Sequence, residues 1–375
     1  MVIAVNTRFL LPTYMEGYGN FISECFSRIT VRFPQHTFIF IFDRQYDPIF
    51  IFSKNVIPVV LSPETRHPFL WWIWFNIGIP PVLKRYKADV FISMDGFCSL
   101  FTKVPQCLVV HDLAFLHHPK TIKRSHLFFY KTFTPVFLKK AKRVVTVSEY
   151  SKMDIVKSYQ IDPLKIDVVF NGASEMFNPL GFDEKEIIKN QYTDGNEYFL
   201  CISAIHPRKN LINLLKAFSI FKKRQKSKMR LVIAGRLAWK HEGFMELLKL
   251  YKYREEVNLL GYVEHGTLVK ITAAAYAMIY PSLFEGFGVP LIESMRCKVP
   301  VLTGDISAMP EIAGEAAMYF DPSNHHDMAD KMMLIFKDES ERKKLIEKGI
   351  TRSSLYSWDR TSKLLWQCIQ KTVTS

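Results

Sequence analysis

No window of this 375-residue sequence reaches the roughly 18 to 20 consecutive apolar residues that a membrane-spanning helix needs, so a folded, soluble or peripheral chain is expected. Its six cysteines (Cys25, Cys98, Cys107, Cys201, Cys297, Cys368) show no C-x-x-C spacing. That pattern argues against a zinc or disulfide framework and suits buried thiols in a reducing compartment. The opening MVIAVNTRFLLP lacks both a basic stretch and a small-residue cleavage site, and it reads as a first strand. The expected compartment is the cytoplasm. Gly17 and Gly19 lie in MEGYGNFISECF, between that strand and the helix expected after it. The position three after Gly19 is Ile22, which leaves the dinucleotide fingerprint incomplete and disfavours a dinucleotide-dependent oxidoreductase.

What is present is ample apolar material: 48 % apolar residues and 14 % aromatics, over a length that suits two domains better than one core. A net charge of +14 calls for anions, whether small-ligand phosphates or anionic lipid. The cations cluster at Lys84, Arg85 and Lys87, at Lys139 to Arg143, and at Lys222 to Lys228. None of these clusters carries the aromatic platforms or reading helix that nucleic acid requires, so no nucleic-acid partner is expected.

Short β-branched or aromatic runs alternate with helical stretches: VIAVNT, TFIFIFD, ADVFIS, QCLVVHD, RVVTVSE and KIDVVFNG, then YFLCISA, RLVIAG, VNLLGYV, YAMIYPS and VPVLTG. Alternation of this kind predicts α/β architecture with two doubly wound parallel sheets. Residues 1–172 form the expected first domain. The polar, breaker-rich residues 173–195 read as a link, residues 196–357 as the second domain, and residues 358–375 as a terminal helix. Ligands of such sheets bind beyond the carboxyl ends of the strands.

Two segments there carry chemistry. In residues 280–297, a strand leads into Glu285-Gly286-Phe287-Gly288, Pro290 suits a first helical turn, and Glu293 is expected within that turn. The glycines let backbone N–H groups approach a ligand, and each carboxylate can accept two hydroxyls of a vicinal diol. In residues 201–218, Arg208 and Lys209 directly precede a helix whose amino end is already positive, which is repulsive unless an anion is bound there. A diphosphate fits. His111 ends the strand QCLVVHD, placed to donate to a ligand hydroxyl. Ser148-Glu149, Asn171-Gly172 and Gly235-Arg236 also end strands.

The Glu285 to Glu293 spacing with its FGVP core resembles the E-x7-E signature of retaining glycosyltransferases of family four (glycosyl transferases group 1), which have the GT-B fold. The resemblance spans nearly the whole chain. It implies two Rossmann-like domains with parallel sheets facing across a cleft, and a nucleotide-sugar donor held mainly by the second. On this resemblance Glu285 contacts the sugar hydroxyls and Glu293 the ribose. Gly286, Phe287 and Gly288 supply amides, Val263 meets the base, Arg208 and Lys209 grip the diphosphate, Gly19 approaches the donor through its backbone, and His111 lies near the sugar. Ala204 departs from members that carry an additional arginine there. No D-x-D pair occurs in the sequence, so no metal is expected and no cofactor beyond the donor itself. The resemblance also implies that residues 358–375 return to the first domain. The expected reaction is hexose transfer with retained configuration to a saccharide or lipid-linked saccharide in cell-surface polysaccharide synthesis. Similarity to bacterial polysaccharide mannosyltransferases brings GDP-mannose forward as donor; the residues themselves choose neither sugar nor base. A non-catalytic nucleotide-sugar-binding subunit remains the alternative of another class.

Residues 68–83, PFLWWIWFNIGIPPVL, hold three of the six tryptophans and precede Lys84 and Arg85. A buried helix and peripheral contact with an anionic membrane, at its inner face, are both compatible with this composition.

Overall fold

The computed structural model describes residues 1–12, 15 and 17–374; Glu16, inside the quoted glycine-bearing segment, lies outside them. The chain forms two compact units, Met1–Gly172 with Trp358–Ser375, and Ala173–Ser357.

In the first unit the described strands are β1 (Val2–Asn6), β2 (Thr37–Phe42), β3 (Val56–Val60), β4 (Val90–Ser93), β5 (Gln106–Val109), β6 (Arg143–Thr146) and β7 (Ile166–Val168). They pair in parallel in the order β3-β2-β1-β4-β5-β6-β7, with Ile3 registered between Phe38 and Val90. Continuous apolar runs such as TFIFIF suit a sheet covered on both faces, and five of those six residues are buried. The helix after β1 spans Gly17–Arg32, so Gly17 and Gly19 lie in its first turn rather than in a turn before it. A Cβ at Gly19 would stand 2.5 Å from the Phe9 carbonyl oxygen, which is a packing reason for glycine at that place. The Trp358–Thr374 helix packs on the Gly17–Arg32 helix through an Arg32–Asp359 ion pair, while Trp366 stacks on Phe33 at 4.0 Å.

Residues 68–83 resolve into a Pro68–Ile73 helix, a π-helical turn Trp74–Gly78 and an Ile79–Arg85 helix. Trp71, Trp74 and Phe75 are core residues. The two buried indoles are satisfied, Trp71 donating to the Thr65 carbonyl at 2.7 Å and Trp74 to that of Leu61 at 2.8 Å. Phe69 and Ile77 point outward, 65 % and 57 % exposed. No helix among the described residues is long and apolar enough to cross a membrane.

The second unit carries β8 (Tyr198–Ile202), β9 (Arg230–Ala234), β10 (Val257–Gly261), β11 (Ala277–Tyr280), β12 (Val301–Gly304) and β13 (Ala317–Phe320), parallel in the order β10-β9-β8-β11-β12-β13. Residues 173–195 are not an unstructured link. They belong to this unit and contain a Phe182–Thr193 helix, whose Gly181 N–H donates to Glu184 at 3.1 Å. The breakers that suggested a link stand outside the helix: Pro179 and Gly181 precede it, while Asp194 and Gly195 end it with positive φ. Between them Ile188 is buried and Lys189 is held by Glu186 and Glu197.

Candidate functional site

Both sheets are wound outward from an inner strand, and the winding reverses between β8 and β11 in the second unit and between β1 and β4 in the first. A crevice opens beyond the carboxyl ends of the strands at such a reversal. The loops leaving β8 and β11 carry Arg208, Lys209 and Glu285.

After β8 the chain makes a 3-10 turn, Pro207–Lys209, capped by the His206 ring, which accepts from the Arg208 N–H at 3.3 Å. Asn210 follows in the left-handed region at φ +60, and the Leu211–Gln225 helix begins. The Asn210 amide donates to the carbonyls of Pro281 at 3.1 Å and Pro322 at 2.6 Å, and the Leu283 N–H donates to the Arg208 carbonyl at 2.9 Å. The β8 loop is thereby pinned to the loop after β11. Lys209 Nζ pairs with Glu285 Oε1, Arg208 Nη1 lies 3.3 Å from Glu285 Oε2, and the same Nη1 donates to the Phe284 carbonyl. The Glu285 N–H donates to Ser307 Oγ at 3.0 Å. Burial alone would raise the Glu285 pKa, but the Lys209 and Arg208 charges outweigh it and hold the carboxyl down at about 2. Tyr280, whose hydroxyl is 3.4 Å from Lys209 Nζ, has its pKa pushed well up by burial and by the Glu285 charge.

The expectation that the two cations require a bound anion therefore changes. Glu285 supplies one negative charge internally, and two cations against one carboxylate leave a net charge of +1 at the amino end of a helix.

Glu293 is the fifth residue of the Val289–Arg296 helix, so it stands in the second turn and not the first. The helix starts one residue earlier than that placement requires, because Gly288 is its N-cap, at φ +97, with Val289 and Pro290 opening the first turn. A Cβ at Gly288 would meet the Leu291 side chain at 3.1 Å in a backbone region hostile to L residues. Phe287 is buried against Tyr356, their ring centroids 5.5 Å apart. Val263 is half-buried beyond β10, two strands from β8. Glu285, Gly286, Phe287 and Gly288 thus join Arg208 and Lys209 in one place, with Glu293 on the helix that follows and Val263 further out along the sheet.

His111 and Gly19 belong to the first unit and are close neighbours there. Tyr18 and Phe21, flanking Gly19, set their rings edge-on to the His111 imidazole at 4.8 and 5.1 Å. Burial lowers the His111 pKa to about 4, against smaller upward pulls from Asp112 and the Met94 backbone, so the ring is neutral at pH 7. Its Nε2 is buried without a hydrogen-bond partner among the described residues.

Sequence reading missed a second buried group in this unit. Arg8 pairs with Asp95 at 2.5 Å, both side chains nearly inaccessible, and the Asn6 amide donates to the same carboxylate at 2.8 Å. The Arg8 guanidinium lies 4.9 Å from the Phe9 and Phe97 ring centres and 5.4 Å from that of Phe75. The signal was available, since Asn6 ends β1 and Asp95 follows β4 by two residues. Tyr280, Asn210 and Ser307 were also missed, and only their tertiary placement marks them. Among the described residues no group of three or more His, Cys, Asp or Glu side chains stands ready to hold a metal ion.

With this geometry in hand, comparison with known proteins places the chain in a class. The profile for glycosyl transferases group 1 matches residues 182–352 and that for glycosyltransferase family 4 matches residues 35–175. The chain belongs to these GT-B glycosyltransferases. More particularly, it is 25 % identical over 250 residues to O-antigen chain mannosyltransferase B of Escherichia coli, the match covering 66 % of each chain. It is likewise 25 % identical over 274 residues to O-antigen chain mannosyltransferase RfbU of Salmonella typhimurium, covering 72 % of this chain and 71 % of that one. The matches thus span about two thirds of these relatives' length. The solved structure of WaaG, a glycosyltransferase involved in lipopolysaccharide biosynthesis, superposes with a TM-score of 0.78 over the whole of both chains at 15 % identity, a likeness of fold.

Proposed function

We propose that this protein transfers mannose, with retention of configuration and without a metal ion, from GDP-mannose to a saccharide or lipid-linked saccharide acceptor during cell-surface polysaccharide synthesis. The observation that carries this reading is the Arg208–Glu285–Lys209 cluster at the β8/β11 reversal. Two cations fixed at a helix amino end stabilise negative charge developing on a departing nucleoside diphosphate, the electrophilic work done elsewhere by a divalent ion. The Glu285 carboxylate between them offsets part of their mutual repulsion.

Glu285 is poorly suited to be a covalent nucleophile, because both its oxygens are engaged by cations. The remaining route to retention is front-face attack, in which the acceptor hydroxyl approaches on the side of the leaving group and a diphosphate oxygen takes its proton. Glu293 on the following helix serves the ribose, the amides of Gly286 to Gly288 serve the sugar, and Val263 meets the base. In the first unit the neutral His111, its one N–H turned to the Met94 backbone, accepts from a sugar hydroxyl through its other ring nitrogen rather than acting as a charged acid. The O-antigen mannosyltransferase relatives favour mannose. Proton NMR of the reaction in the presence of chelator tests the proposal: an α-mannoside formed from GDP-α-mannose supports it. A β product, or turnover that appears only with added Mg²⁺, would overturn it.

We also infer work at the inner face of the membrane, through Phe69 and Ile77 beside the exposed Lys84 and Arg85. Trp71 and Trp74 are core residues, so the variant to test is Phe69→Ser with Ile77→Ser. Flotation with anionic vesicles should fall in that folded variant; unchanged flotation removes the inference.

A further inference from the structure

At the amino edge of the second sheet lies a cavity of about 640 Å³. Its wall comes from the end of the Leu211–Gln225 helix, the turn into β9, the start of β9 and the turn before β10. Parallel strands put the Arg208 and Glu285 loops at the opposite edge, so this cavity is no part of that site. Lys222, Lys223, Lys226, Lys228, Arg230 and Lys252 line it, against Glu256 as the one lining carboxylate.

A helix carboxyl end favours cations in its last turn, which accounts for Lys222 and Lys223. It does not account for Lys226, Lys228 and Lys252, which stand outside the helix. Lys226 is the C-cap, at φ +49 in a left-handed position that usually falls to glycine or asparagine, and that bend folds Lys228 back beside the helix end.

Some of these charges are already spent. Lys222 is buried and turns inward onto Glu256 and the carbonyls of Ser227 and Met229. Arg230 is held by Asp194 at 2.8 Å and by the Glu255 carbonyl. With Glu256 committed to Lys222, the exposed Lys223, Lys226, Lys228 and Lys252 have no acidic partner among the described residues. Four ammonium groups around one concavity repel one another, and a multiply charged anion between them relieves that repulsion. The volume suits a small molecule. Lysines act as point charges that match phosphate, whereas planar carboxylate recognition favours a free arginine fork, and the arginine here is engaged. Tyr253, the one aromatic ring in the lining, lies under the Lys252 ammonium at 5.5 Å, so there is no run of platforms for nucleic-acid bases.

We propose that this cavity binds a phosphate anion carrying two or more negative charges, at a site independent of the one assigned to the sugar donor. The ligand is either a free diphosphate or the phosphate head group of a lipid. Inorganic diphosphate titrated calorimetrically at low salt tests the first source, and flotation with phosphatidylcholine vesicles containing a phosphatidylinositol bisphosphate tests the second. Three full-length proteins are compared: wild type, Arg208→Gln with Lys209→Gln, and Lys223→Gln with Lys226→Gln, Lys228→Gln and Lys252→Gln. The four lysines are exposed, so the last variant should fold, which circular dichroism verifies. The expected result is that the Arg208/Lys209 variant still binds one of the two probes. The four-lysine variant should lose that binding by roughly tenfold or more while keeping transferase activity. Binding of diphosphate identifies a soluble ligand, and binding of vesicles alone identifies a lipid. The proposal is overturned if the Arg208/Lys209 variant binds neither probe, or if the four-lysine variant binds as wild type does.

Discussion

Lys209 and Glu285 form a largely buried ion pair in the second unit, and removing either takes a charged partner from the other. Lys209→Ala removes a preorganised cation, and its turnover should fall about a hundredfold, roughly 3 kcal/mol of barrier, in a steady-state assay with saturating donor. The Glu285 carboxyl, held at about 2 rather than 4.5, contributes stability that is fully present above pH 4.5. That contribution is lost as pH falls from 4.5 towards 2. Glu285→Gln should therefore flatten the acid limb of stability against pH, measured by denaturant unfolding. His111 has the opposite charge type. Its lowered pKa means that the unfolded chain takes up a proton first, so stability is fully present above pH 6.5 and declines as pH falls towards 4. An imidazole resonance that is absent from His111→Gln and titrates near pH 4 in wild type should be visible by NMR. The chemistry of these residues was legible in their types and strand-end positions. That Glu285 pairs with both Arg208 and Lys209 was not, because the partners lie 76 and 77 residues apart and meet only through the adjacency of β8 and β11.

At the scale of elements, patterning located the inner strands and two of the four edge strands, β7 and β10, and missed the other two. β3 and β13 are both outermost strands. β3 contains Pro58 and is largely half-exposed, so it lacks the continuous apolar run by which the buried strands were recognised. β13, AMYF, is short and follows directly on a 3-10 turn. The 173–195 segment was misread for the converse reason, since its breakers cap a helix rather than replace one. Loop glycines carry the tightest local requirement. At Gly235, φ +154, a Cβ would sit 1.9 Å from the Ser203 carbonyl oxygen, backbone against backbone. Gly235→Ala should lower stability by about 1 to 3 kcal/mol, read as a fall in melting temperature, because the loops after β8 and β9 must separate.

For the whole molecule, the terminal helix Trp358–Thr374 completes the first unit from the far end of the sequence. Its Lys371 reaches Asp167 at 2.8 Å, and Cys368 lies with its sulfur 3.7 Å from that of Cys107. Deleting residues 358–375 should expose Phe33 and the covered face of β5, and should destabilise the first unit selectively in hydrogen exchange. Periodicity showed a helix in this segment but not its destination, which the resemblance alone implied. The central claim is that a nucleoside-diphosphate mannose is gripped by Arg208 and Lys209 without a metal ion. Calorimetric titration of GDP-mannose into wild type and Lys209→Ala, both in chelator, measures it most directly. Saturable binding to wild type is expected, with affinity weakened by roughly tenfold or more in the variant. Equal affinity in the two proteins, or binding to wild type only when Mg²⁺ is restored, would contradict it.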